Sequence, residues 1–72
     1  MDNSVELQIP LEDIYGYSVV ILIQNNQITI EKFIDKCNNL IIPCPEMIEE
    51  SNNKIRLLKI QMDNNAVAYS AN

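Results

Sequence analysis

Polar and apolar residues alternate from Ser4 to Ile9, with Val5, Leu7 and Ile9 on one side and Ser4, Glu6 and Gln8 on the other. A period of two is the signature of a half-buried strand. Pro10 closes that strand. It can also open a single helical turn through Leu11, Glu12, Asp13 and Ile14, with the acids at the favourable end and Gly16 as the stop. Tyr17 to Gln24 reads as a second strand, rich in β-branched residues and followed by Asn25-Asn26. Tyr17, Val19, Ile21 and Ile23 form one face of it. Val20 and Leu22 lie on the other, between Ser18 and Gln24.

Beyond Gln24 two periods compete. Gln24-Asn25-Asn26-Gln27 can close a two-residue hairpin, with Ile28 and Ile30 on a further strand. The better supported reading is a helix over about Ile30 to Asn39. Thr29 caps it, and Ile30, Phe33, Ile34 and Cys37 follow at helical spacing. Leu40-Ile41-Ile42 is a short apolar connector. Pro45 at a first helical position, with Glu46 beside it, predicts a short helix from Pro45 to Glu50, ended by Ser51-Asn52-Asn53.

Lys54 to Met62 fits both periods. Ile55, Leu58 and Met62 share a helical stripe, whereas Leu58, Ile60 and Met62 share a strand face. The following Asp63-Asn64-Asn65 and Ala66 to Tyr69 favour a hairpin, with Val67 and Tyr69 against the apolar face of the longer strand. Four Asn-Asn pairs then punctuate the chain, because asparagine closes turns and tolerates left-handed backbone.

The expected fold class is α+β in a single small domain over residues 1–72. It has a mostly antiparallel sheet of about four strands in the order ββααββ, with one main helix and a short second helix on one face. Val5, Leu7, Ile9, Val19, Ile21, Ile23, Leu58, Ile60 and Met62 would line the covered face. The opposite face carries Glu6, Gln8, Ser18, Gln24, Lys59 and Gln61, but also Val20, Leu22, Ile55 and Leu57. Little chain remains to cover those four aliphatics, so they form a candidate interface. Tyr15 and Tyr17 flank Gly16 and join the candidate set, because tyrosine is frequent at interaction hot spots.

Length strengthens the interface reading. A chain of 72 residues buries only about 60% of the surface its unfolded form exposes. Small folds therefore often lean on a partner, and a homo-oligomer is expected. The charge narrows the partner. Five basic residues stand against ten acids, for a net charge of -5. Phosphate neutralisation by Lys and Arg drives nucleic-acid binding, so direct binding to DNA or RNA is not expected. An anionic membrane is equally unsuited, whereas a protein with a basic surface suits the charge. The start of the chain lacks a positively charged leader segment, and the longest apolar run, Val19 to Ile23, cannot span a bilayer. A cytoplasmic location with reduced thiols is the resulting expectation.

Catalytic chemistry finds little support. The chain has no histidine, which removes the commonest general base and nitrogen metal ligand. Its single glycine rules out a phosphate-cradling loop. Cys44, between two prolines at a helix start, is a candidate reactive thiol, because a helix dipole favours a thiolate there. Glu46, Glu49 and Glu50 oppose that charge. Cys37 reads as a core residue of the predicted helix, and two thiols alone do not complete a zinc site. No cofactor is expected. The sequence thus reads as a non-enzymatic acidic adaptor, regulator or inhibitor acting through protein contacts. A structural homo-oligomer and a Cys44-dependent redox protein are the alternatives.

Overall fold

The computed structural model of the chain describes residues 3–12 and 15–70, with residues 66–70 described as helical backbone. The order is β1 (Val5–Pro10), β2 (Ser18–Gln24), β3 (Gln27–Ile34), β4 (Leu40–Ile41) and α1 (Pro45–Ser70). The four strands form one antiparallel meander in sequence order. The α+β class and the antiparallel sheet agree with the sequence reading. The order ββααββ does not: all strands precede one helix, and the separate short helix is the first part of α1. The turn expected over Leu11 to Ile14 falls partly outside the described residues, as do the side chains of Val67 and Tyr69.

The segment expected to be a helix, Ile30 to Asn39, is instead the second half of β3 and the turn after it. The reason is a β-bulge. Val20 pairs with Lys32 and Ile21 with Ile30, so Glu31 is an extra residue on β3. One inserted residue converts a spacing of two into three. Ile28, Ile30 and Phe33 therefore all face the core, and their 2-then-3 spacing imitates a helical stripe. The hairpin alternative is the one realised. Asn25 and Asn26 occupy its two central positions with φ of 53° and 63°, the pair of left-handed residues that a type I′ turn requires.

The second correction concerns Lys54 to Met62. This segment is helical and continues to Ser70, so neither the later strands nor the terminal hairpin form. Asn52-Asn53 and Asn64-Asn65 lie inside the helix rather than between elements. Their intrinsic cost, up to about 0.7 kcal/mol per residue, is outweighed by a stripe that docks on the sheet. Met47 and Ser51 are buried, and Ile55 and Leu58 pack against the same cluster. Ser51 Oγ satisfies itself by donating to the Met47 carbonyl oxygen at 2.7 Å. Its small side chain sits where the helix meets the sheet.

The core joins Leu11, Val19, Ile21, Phe33 and Met47, flanked by Ile9, Ile23, Ile28, Ile30 and Ile41. Helix α1 therefore runs from the β3–β4 end of the sheet, where Met47 packs, towards the β2–β3 turn. It reaches that turn at Lys59, whose Nζ donates to the Asn26 carbonyl oxygen at 2.7 Å. The remaining turns, from Ile60 to Ser70, extend about 16 Å further.

Candidate interaction surface

A single helix is about 10 Å across. β4 pairs only at the Phe33–Ile34 end, so beside Val5 and Leu7 the sheet is three strands wide and spans roughly 10 Å between its outer axes. The helix nevertheless leaves the side chains of β1 exposed there. Ile21 on β2 is fully buried, while its register partner Leu7 is 39% exposed and Val5 is 52% exposed. Both apolar side chains are on the helix-bearing face yet open to solvent. Among the described residues β1 pairs only with β2, so its outer edge carries no strand there.

The helix adds a second apolar feature. Leu57 and Ile60 point away from the stripe formed by Met47, Ser51, Ile55 and Leu58, and are 63% and 49% exposed. Ile48 is exposed near the helix start. It lines an open concavity of about 470 Å³ with Pro45, Glu49, Asn52, Asn53 and Arg56. Between Ile48 and Leu57 the helix surface is acidic and polar. Lys54 sits at its flank, 3.8 Å from Glu12 and 3.9 Å from Glu50.

The sequence-derived interface set does not form one surface. Val20 and Leu22 lie on the sheet face away from the helix, opposite Lys32 and Thr29. Val20 is buried and Leu22 half-buried, so they offer little to a partner. Ile55 is on the helix and packs against the core, and Leu57 is on the helix's outer side. The four separate because Lys54 to Met62 is a helix, which distributes Ile55 and Leu57 around an axis rather than along a strand face. Val5, Leu7 and Ile60 were assigned to a covered face by the sequence. The alternation of β1 carries no signal that separates a covered apolar face from an exposed one.

Tyr15 and Tyr17 are both exposed, at the loop before β2. With Gly16, Asp35, Lys36 and Cys37 they line a shallow depression of about 220 Å³. Gly16 takes φ of 79°, and a Cβ there would stand 2.9 Å from Lys36 Cε. Asp35 organises the facing turn. Its carboxylate accepts the backbone N–H groups of Cys37 at 2.8 Å and Asn39 at 2.9 Å, and the Asn39 amide at 3.3 Å. The Asn39 N–H leads the contacts that hold the Asp35 carboxyl below its ordinary value.

Cys37 is exposed in this turn and is not a core residue, because the helix expected to bury it is absent. Cys44 is exposed as well, and both thiols are free. Cys44 stands immediately before α1, where its carbonyl oxygen accepts the N–H groups of Met47 at 3.1 Å and Ile48 at 3.2 Å. The Glu46 carboxyl is held below its ordinary value by its own backbone N–H first and by the Cys44 thiol second.

Among the described residues, no three Cys, Asp or Glu side chains gather as a metal-binding group. No described helix is long and apolar enough to cross a membrane. No family model matches the chain, and no curated protein or solved structure matches it.

Proposed function

We propose that this chain is a non-enzymatic protein–protein interaction module, a small acidic adaptor, regulator or inhibitor that works as a homodimer. The observation that carries the reading is exposed apolar side chains in two places: Val5 and Leu7 on the edge strand β1, Leu57 and Ile60 on the outer side of the helix. Exposed apolar groups rimmed by polar residues are what protein-binding surfaces present. The net charge of -5 favours a partner with a basic surface, whose encounter would slow as salt rises.

The test has two parts. The molar mass of the purified chain is measured by sedimentation equilibrium. Host proteins are then captured on the immobilised chain and on a Leu57→Glu/Ile60→Glu variant. A dimeric chain that retains a stoichiometric protein, with retention lost in the variant, supports the reading. A monomer that retains nothing removes it. A dimer that retains nothing favours the structural homo-oligomer, for which the open strand edge is the supporting observation.

A further inference from the structure

The homodimer in the reading above needs a site, and the register of β1 supplies one. We infer that the open edge of β1 seats the β1 strand of a second copy, antiparallel and centred on Leu7, so that two sheets become one of eight strands.

The strand's own pattern selects this pairing. Directly opposed residues in an antiparallel pair project to the same face. Apolar residues of both copies therefore share a face only when the register opposes odd positions with odd. Three such registers are compact. Centring on Glu6 would set two carboxylates against each other across the axis. Centring on Gln8 would leave Val5 beyond the paired segment. Centring on Leu7 opposes Leu7 with Leu7, Val5 with Ile9, and Glu6 with Gln8. The surface is then self-complementary, as a two-fold contact requires. The half-open side chains Val5 and Leu7 would continue into the same residues of the second copy, beside the two helices. Pro10, which has no N–H to donate, would fall opposite Ser4, just outside the strand.

The competing edge is the outer side of β3. There β4 pairs only with Phe33 and Ile34, so Gln27 to Lys32 is also open. That edge carries the bulge at Glu31 and the charged pair Glu31 and Lys32, which are the devices that discourage edge-to-edge pairing. β1 has a regular register with no bulge and one charge, Glu6.

Charge at position 8 tests the register. Gln8→Lys would place an ammonium opposite Glu6 of the second copy, twice by symmetry, and Gln8→Glu would place two carboxylate pairs there. From typical cross-strand pair energies, the dimer constant should tighten and weaken respectively by roughly 2- to 30-fold. The Glu6→Lys/Gln8→Glu double variant should recover the loss. Sedimentation equilibrium at low salt reads all three, with circular dichroism confirming the fold of each. A dimer whose constant ignores the three variants overturns this inference. If that dimer is instead lost in Leu57→Glu/Ile60→Glu, the interaction-module reading stands without the β1 site. A wild-type chain that stays monomeric overturns the inference as well; capture of a protein partner by that monomer leaves the module reading in place, and capture of none removes both.

Discussion

Lys59 Nζ donates to the carbonyl oxygen of Asn26 at 2.7 Å and also stands 3.6 Å from Asp63 Oδ1. This contact ties the middle of α1 to the β2–β3 hairpin turn, 33 residues earlier in the chain. It marks where the helix leaves the sheet. Lys59→Met keeps the apolar stem and removes the charge-assisted hydrogen bond. The contact is partly exposed, so the expected loss is modest, about 0.5–1 kcal/mol in urea denaturation. Amide exchange in the turn should accelerate at the same time. Unchanged stability and exchange would show that water replaces the ammonium without cost.

The turn itself is improvable. Asn25 and Asn26 both have left-handed backbone, and glycine at the second position is the strongest preference of a type I′ turn. Asn26→Gly keeps the carbonyl that Lys59 uses and relieves the residual left-handed cost. The expected gain is about 0.5–1 kcal/mol. Asn25→Ala should cost a similar amount. A thermal melt of the two variants checks both signs, and a loss in Asn26→Gly would mean that the asparagine side chain supports the turn.

Legibility in the sequence followed the regularity of each element. Val5 to Ile9 alternates without interruption and Tyr17 to Gln24 is rich in β-branched residues; Val5–Pro10 and Ser18–Gln24 are strands, with Ile9, Val19, Ile21 and Ile23 on the core face as read. β3 was misread because Glu31 is an inserted bulge residue, which gives Ile30 and Phe33 a helical interval within a strand. Lys54 to Met62 was ambiguous because Leu58 and Met62 belong to both periods. The helical stripe is completed by Met47 and buried Ser51, a polar residue that pattern reading treats as a terminator. The Asn-Asn pairs were correct signals at 25–26 and 38–39, where left-handed residues occur, and false ones at 52–53, inside the helix. The candidate surface inherited these errors. Leu57 was selected and is exposed, but it shares a helix with Ile55 rather than a sheet face with Val20.

The turn after β3 carries a pH signature. The Asn39 N–H foremost, then the Cys37 N–H and the Asn39 side chain, favour the ionised Asp35 carboxylate and place its pKa below the ordinary 3.8. A carboxyl whose pKa is lower in the folded than in the unfolded chain contributes stability above the unfolded value. That contribution disappears as pH falls from there through the folded value. Asp35→Asn should therefore lower stability near neutral pH and flatten the acid limb below about pH 4. Denaturant midpoints of both proteins between pH 2 and 7 provide the check. Parallel curves would mean that the turn does not depend on the charge.

Cys44 precedes α1 with its carbonyl accepting the first helical N–H groups, so it stands at the N-cap. Serine is among the preferred residues there, because its oxygen accepts an N–H of the first turn, which a thiol does poorly. Cys44→Ser should then stabilise the protein by about 0.5–1 kcal/mol and leave partner capture and self-association unchanged. A melt and the capture experiment measure the two halves separately. Gain in stability with intact binding identifies position 44 as a capping site within an interaction module. Loss of a biological activity in a variant that is folded and at least as stable would instead place the thiol at the centre of the protein's chemistry, and the redox alternative would displace the interaction reading.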